Sequence, residues 1–540
     1  MRGNEIYLVR NGLNADNFNK EYDKYTHFIL LALDAEGHKQ IRQISTRAWM
    51  RSYMARGQRR VPTYYQDLID IIGQNKGHIV GTSACIGGTL GTQLLRYRQS
   101  KNSNLLDKIK NWCVQIQQIF GEGNFFLEMQ PSFNDDQVYV NKWIIQLSKE
   151  LNIPFIISND AHYLKKEDLI IEKIFLNSQG GDREVESFYS TTYLMSDKEI
   201  HSFMDSSIGF ENVEIAFSNS YKILQRAQDY SLKKTLKIPS LKWRAQEEIS
   251  EEELAYYIEK MPTLIKFQNS QFLSDRQLVK ATINGIKSHL DLQNDVAMQE
   301  LELCLQDTWI SSQVNKAQWS AYFLNLQYII DICWEGGTVV GCGRGSGVGF
   351  LLLYCLDITQ INPLRETTKT YRFRFLNPER VSVLDIDSDI SGLNRDKILN
   401  HIREVYGQDR VANVLTLRTE KSKSAILAAG RGLGIDVDIA QYIASLIPAE
   451  RGMLWSLHDC MYGNGDDREP VKQFVHEMTE NYPEIWNVVQ RTEDLIVGMG
   501  EHAGGIIFVD EPFEESTALM RAPNGDVMTQ FELHTAEKAS

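Results

Sequence analysis

The chain has 540 residues, too many for one ordinary hydrophobic core, and about 150 residues per domain divides it into three or four units. Hydrophobic residues make up 43% and charged residues 24%, an ordinary globular composition. The net charge of −14 excludes a protein that coats nucleic acid over its whole surface, but not one with a local basic channel. The apolar run 350–356 is far too short to span a bilayer. The opening Met1-Arg2-Gly3-Asn4-Glu5 lacks the apolar core of a signal peptide, so the expectation is a cytoplasmic protein without membrane contact. Seven cysteines are scattered without C-x-x-C spacing, which argues against a zinc ribbon and for reduced thiols.

Residues 1–235 read as α/β. Apolar runs at 28–33, 79–81, 125–128 and 155–158 predict strands, and helical patterns at 108–120 and 136–151 separate them. That alternation predicts parallel βα units. Polar groups stand where these runs end: Cys85, then Asp160 and His162 in Asn159-Asp160-Ala161-His162-Tyr163. Strand ends are where α/β proteins place sites. An Asp-x-His pair can converge on a metal, or can be a capped turn beside a buried histidine.

Residues 236–330 read as helical and acidic, the run 246–253 being a solvated helix start. An amphipathic helix over 319–334 ends at Gly336-Gly337 and leads into a strand at 338–340. Further on, 394–406 reads as a helix, 411–417 as a strand and 420–497 as mostly helical. His502-Ala503-Gly504-Gly505 reads as a turn before a strand at 506–509.

Two motifs carry chemistry. The first is Gly341-Cys342-Gly343-Arg344-Gly345-Ser346, between a predicted strand and an apolar helix starting near Gly349. Such a turn presents backbone N–H groups, while Arg344 can fork onto phosphate oxygens and Ser346 can donate to one. It is neither a Walker A motif nor a dinucleotide fingerprint, and on its own it could equally be a packing corner. The second is Leu384-Asp385-Ile386-Asp387-Ser388-Asp389-Ile390, which predicts a strand with three aspartates on one face. Carboxylates about 7 Å apart repel by roughly 2 kcal/mol per pair, which a divalent cation relieves. An EF-hand loop is excluded because Ile390 and Asp396 stand where glycine and glutamate are required. Between the motifs, Tyr371-Arg372-Phe373-Arg374-Phe375 predicts a strand with aromatics on one face and arginines on the other. The basic residues Arg410, Arg418, Lys421, Lys423 and Arg431 follow, suiting a polyanionic substrate, although some can only pair local acids.

The order of motifs resembles the C-family DNA polymerases, the alpha subunit of bacterial DNA polymerase III and its phage relatives. Gly341–Ser346 looks like the family's G-P-G-R-G-S. Arg374-Phe375-Leu376-Asn377-Pro378-Glu379-Arg380-Val381-Ser382 looks like its R-F-L-N-P-E-R-V-S, and His502-Ala503-Gly504-Gly505 and Thr529-Gln530-Phe531 also match. The resemblance implies an α/β architecture. A PHP-like barrel-type domain, shortened at its start, spans 1–235, and a nucleotidyltransferase-type palm spans 236–419. A helical thumb-like insertion follows at 420–497, with a return to the palm at 498–540. It implies Asp387 and Asp389 as catalytic metal ligands, with Asp385 less direct. Gly343, Arg344, Gly345 and Ser346 would hold nucleotide phosphate, and Arg374, Arg380, Lys423, Arg431 and His502 would contact DNA or nucleotide. Cys85, Asp160, His162 and His27 would be remnants of the PHP ligands. The implied activity is template-directed DNA synthesis: a primer 3′-hydroxyl attacks a deoxynucleoside triphosphate with two Mg²⁺ ions.

The sequence also departs from the family. Leu427 replaces an arginine, Phe373 a glutamate, Leu384 a proline and Ile390 a phenylalanine, as in a divergent, phage-like member. The family's third aspartate falls past Ser540, and the opening H-x-H motif of PHP domains falls before residue 1. The resemblance therefore predicts a complementary C-terminal fragment carrying the third aspartate and the fingers, and contact with a sliding clamp only through that fragment. It predicts a PHP remnant that acts as a scaffold without a full metal cluster. The rival is a non-catalytic remnant that binds DNA or a polymerase partner, against which the intact D-x-D and G-R-G-S motifs speak.

Overall fold

A computed structural model describes residues 1–540 except 20–22, 56, 179–188, 233–237, 240–242, 245, 369, 378, 380–383, 385, 534 and 537–540. The chain forms two compact units. Unit 1 takes Met1–Ser231, Leu415–His502 and Ala518–Glu532; unit 2 takes Leu232–Val414, Ala503–Thr517 and Leu533–Ser540.

The first stretch of unit 1 is built on a six-stranded sheet of β1 (Arg2–Val9), β2 (Thr26–Ala32), β3 (Pro62–Tyr64), β4 (Ile79–Thr82), β5 (Phe125–Met129) and β6 (Phe155–Ile157), in the order β3-β1-β2-β4-β5-β6. The four apolar runs read from the sequence are β2, β4, β5 and β6. The β4-β5-β6 ladder is parallel, whereas β1-β2 and β2-β4 are antiparallel, so the sheet is mixed. Barrel closure, expected from the sequence, is not seen: among the described residues no pairing joins the edges β3 and β6. Closure needs one consistent tilt and stagger around the ring, and edge strands of three residues give little ladder to close with.

Helices α1 (Ala35–Met50), α2 (Ser103–Phe120) and α3 (Asp135–Leu151) cover the sheet, and α4 (Leu169–Ser178) follows it. Each of the first three starts at a side-chain cap, from Asp34, Asn102 and Asn134 in turn. Phe28, Phe120 and Phe125 are fully buried beneath the helices. Gly81 is required there, because a Cβ would lie 2.7 Å from the Phe120 ring.

In unit 2, α5 (Leu273–Ser288), α6 (Asp295–Asn315), α7 (Trp319–Glu335) and the short α8 (Leu351–Cys355) enclose a core with Phe267, Trp319, Phe323, Phe350 and Phe375 at its centre. The acidic run before this bundle begins a helix, Glu251–Lys260, with Ser250 and Glu253 as a reciprocal cap. α9 (Arg395–Tyr406) packs on α7 over Ile330, Cys333, Ile398 and Ile402.

Strand β7 (Val411–Thr419) then carries the chain from unit 2 into unit 1, and β8 (Ile496–Phe508) carries it back. With β9 (Leu519–Arg521) and β10 (Val527–Glu532) they form a sheet in the order β8-β7-β10-β9. The turn expected at His502-Ala503-Gly504-Gly505 lies inside β8, so a strand forms there despite the weak strand preference of glycine. Between β7 and β8, unit 1 gains α10 (Ser422–Leu433) and shorter helices around a core that includes Ile426, Phe474 and Ile485. Ile174 of α4 belongs to that core, so close to α10 that a Cβ at Gly432 would sit 2.5 Å from Ile174 Cγ2. Among the described residues no helix is long and apolar enough to cross a membrane.

Candidate active site

The glycine turn of unit 2 depends on two left-handed backbones, Gly343 at φ +102° and Gly345 at φ +73°. Thr359 crowds the first so closely that a Cβ there would lie 3.0 Å from Thr359 Cγ2. Arg344, extended between them, starts a 3₁₀ turn over Gly345–Gly349, and α8 then begins at Leu351. The helix expected near Gly349 is thus only five residues long and lends little dipole. Anion binding at the turn rests on Arg344 and the local N–H groups.

The expected strands at 338–340 and 384–390 reduce to one antiparallel bridge, Val340 to Ile390. Gly341 N donates to Asp389 O at 2.7 Å, and Ser391 N donates to Val339 O at 3.0 Å. No longer ladder follows, because the chain swings away from Gly341 into the turn. The bridge still brings the two motifs together. Arg344 Nη2 lies 3.0 Å from Asp387 Oδ1, and Arg344 Nε lies 3.3 Å from Asp389 Oδ1. A single guanidinium spans both carboxylates. The side chains of Arg344, Asp387 and Asp389 are 58%, 36% and 66% exposed. An ion pair this open contributes only about 0–1 kcal/mol, so a doubly charged cation and a polyphosphate can displace it. Asp385 and Arg380 lie outside the described residues. Tyr371–Phe375, expected as a two-faced strand, is instead a 3₁₀ turn over Arg372–Arg374. Arg374 is exposed on it, whereas Arg372 donates to Asp307 at 2.8 Å and serves the scaffold.

Lys423 in the first turn of α10, Arg431 in its last turn and His502 on β8 all belong to unit 1. The remaining sequence-selected residues meet in another part of that unit. His27, Cys85, Asp160 and His162 line one cavity of about 710 Å³, together with Glu5. His27 Nδ1 lies 2.5 Å from Glu5 Oε1 and 3.3 Å from Cys85 Sγ. Contact with Cys85, then with Glu5, raises the His27 pKa to about 10, and the same pairing holds Glu5 below its ordinary value. His162 lies 3.4 Å from Glu172 on α4 and 3.8 Å from Asp160, and its pKa is raised chiefly by Glu172. Two loops reach this cavity through left-handed non-glycine residues, Ala84 at φ +59° and Asp160 at φ +48°. Such residues are uncommon and cost of order 1 kcal/mol. Beneath them, Glu128 of β5 is buried and accepts hydrogen bonds from Thr82 and Ser158, which ties together three strand ends; burial pushes its pKa up.

Sequence reasoning missed Glu5 and Glu172. The alternation of β1, with Ile6 and Leu8 inward and Glu5 and Tyr7 outward, is the signal that finds Glu5. Glu172 has no such signal. Among the described residues, no group of three or more His, Cys, Asp and Glu side chains is arranged to hold a metal ion.

Two family models match the chain: the bacterial DNA polymerase III alpha NTPase domain over residues 278–540, and the PHP domain over residues 2–132. The chain carries a PHP domain and a bacterial DNA polymerase III alpha NTPase domain. A probable DNA polymerase, YorL, of Bacillus subtilis is 34% identical over 99% of this chain and 42% of its own length. A DNA-directed DNA polymerase of Bacillus phage SPbeta shows the same identity and coverage. The DNA polymerase III subunit alpha of Aquifex aeolicus is 26% identical over 96% of this chain and 43% of its own length. The chain therefore spans less than half the length of these relatives.

Proposed function

We propose that unit 2 carries the nucleotidyl-transfer site of a DNA polymerase, joining a deoxynucleoside triphosphate to a primer 3′-hydroxyl. The observation that carries this reading is the Arg344 guanidinium joining the phosphate turn to Asp387 and Asp389 at 3.0 and 3.3 Å. Phosphate-binding and metal-binding candidates more than forty residues apart in sequence thereby share one exposed site.

The donor set fits a hard divalent cation. Asp387 and Asp389 would hold it through carboxylate oxygens in an open position, the oxygen-rich, part-hydrated setting that suits Mg²⁺. When bound at Asp387 and Asp389, Mg²⁺ ions supply Lewis-acid activation of the attacking hydroxyl and neutralisation of the leaving pyrophosphate. Arg344 exchanges its two carboxylates for triphosphate oxygens and anchors the nucleotide. Gly343 and Gly345 keep the turn free of side chains, so that backbone N–H groups and Ser346 can approach phosphate. Arg374 in unit 2, and Lys423, Arg431 and His502 in unit 1, are the DNA-contacting candidates.

We assign the cavity of His27, Cys85, Asp160 and His162 a scaffold role within a PHP-like domain. We read unit 2 as the palm, with residues 420–497 as a thumb-like insertion. The relatives carry more than half their length outside the matched region, and we propose that synthesis needs polypeptide supplying that remainder, including any clamp contact. The test is extension of a labelled primer by the chain combined with that remainder. Extension that depends on both aspartates and on Mg²⁺ is the expected result. Extension unchanged by Asp387→Asn overturns the assignment.

A further inference from the structure

The 3₁₀ turn Arg372–Arg374 holds two aromatic rings in water on the unit that carries Asp387 and Asp389. Tyr371 and Phe373 are 59% and 58% exposed. Their ring centroids lie 5.3 Å apart and their planes are inclined by 26°, so they form one stacked pair. The neighbouring ring behaves differently: Phe375 is fully buried against Phe350 and Phe323. The turn thus buries one aromatic as an anchor and presents two.

The support behind the pair is fixed. Arg372 Nε donates to Asp307 at 2.8 Å, and its Nη1 lies 3.8 Å from Glu300, both on α6. The pair is also fastened to the phosphate turn. A Cβ at Gly349 would lie 2.9 Å from Thr370 Cβ, and one at Gly347 would lie 3.8 Å from the Phe375 ring. Exposed Arg374 follows directly on Phe373.

We propose that Tyr371 and Phe373 form a stacking platform for unpaired bases of a DNA strand. This subsite lies beside the nucleotide-phosphate turn and rests on the reading of unit 2 as a nucleotidyl-transfer site. An aromatic face accepts any base, and an adjacent guanidinium suits the phosphate that follows it. Duplex DNA hides its base faces within the stack, so the platform distinguishes single-stranded from paired DNA. Protein partners fit less well, because two neighbouring rings make a small aromatic patch rather than a broad apolar surface.

The probes are a fluorescein-labelled dT oligonucleotide and a blunt duplex of equal length, followed by anisotropy in EDTA without nucleotide. In the doubly substituted Tyr371→Leu, Phe373→Leu chain, single-strand affinity should fall about ten- to a hundredfold, with duplex affinity changed less than about twofold. The Tyr371→Trp, Phe373→Trp chain should retain single-strand affinity. Unchanged single-strand affinity in the leucine variant, an equal loss for duplex, or an equal loss in the tryptophan variant each overturns the proposal. So does a loss confined to dTTP binding, measured separately with Mg²⁺, which would put the rings under the incoming base. Because the anisotropy measurements exclude metal and nucleotide, failure of the nucleotidyl-transfer reading appears separately, as absence of Mg²⁺-dependent dTTP binding.

Discussion

The two acid-bearing clusters of this chain neutralise their carboxylates in different ways. In unit 1, Glu5 and Glu172 face His27 and His162, whose positive charge exists only while a proton is bound. In unit 2, Asp387 and Asp389 face Arg344, which is charged at every accessible pH. The first cluster sits over a packed sheet with the buried Glu128 holding strand ends together. The second hangs on a single bridge and a glycine turn, and all three of its charged side chains are open to solvent. The first arrangement suits a fixed internal structure, and the second suits exchange of one cation for another.

The largest test of that contrast is to remove the acids in turn. Asp387→Asn or Asp389→Asn should lower primer extension on the order of 10²–10³-fold, the scale for loss of one electrostatic contact to the transition state. Glu5→Gln should leave extension within about twofold and cost about 1 kcal/mol of stability in urea unfolding, since Glu5 is half-exposed and its partner His27 is partly exposed. A catalytic loss in Glu5→Gln equal to that of the aspartate variants would break the comparison.

A smaller effect probes exchange directly. Arg344→Gln removes the competing cation, so Mn²⁺ affinity without nucleotide, read by electron paramagnetic resonance, should rise about two- to fivefold. Triphosphate affinity should fall by at least as much, because the forked phosphate contact is lost. A metal affinity that drops in Arg344→Gln would show that the arginine organises the aspartates rather than competing for them.

These sites were unequally legible in the sequence. Strands β2, β4, β5 and β6 read clearly because they are nearly unbroken apolar runs, buried on both faces in β4, β5 and β6. β1 did not, since its outward face carries Glu5 and Tyr7. The aspartate periodicity suggested a strand, but pairing depends on a partner, and the partner turns away at Gly341. Likewise, Gly504 and Gly505 carry a local turn signal, yet a strand forms there. Motif spacing selected Arg344, Asp387 and Asp389 separately. The guanidinium that joins them is a tertiary contact, and so is the approach of Glu172 to His162.

The smallest effect sharpens the histidine side of the comparison with a control from the same unit. Among the described residues, His38 on α1 meets the Arg42 guanidinium rather than a carboxylate. Burial, then Arg42 and Arg2, push its pKa down to about 4. Arg42 Nη1 lies 2.8 Å from His38 Nδ1, an arrangement in which a neutral ring accepts from the guanidinium. The unfolded chain binds this proton near pH 6.5 and the folded chain only near pH 4, so the unfolded state holds more protons between those values. Stability from neutral His38 is therefore full above pH 6.5 and is lost as pH falls toward 4. The loss should be about 1–2 kcal/mol, measured as a falling urea midpoint, after allowing for solvent screening. His38→Gln keeps an acceptor for Arg42 without a titrating ring, and its midpoint should fall less over the same range. Parallel falls in the two chains would show that His38 does not carry the acid sensitivity of unit 1, and that its neutral state is not built into the packing of α1.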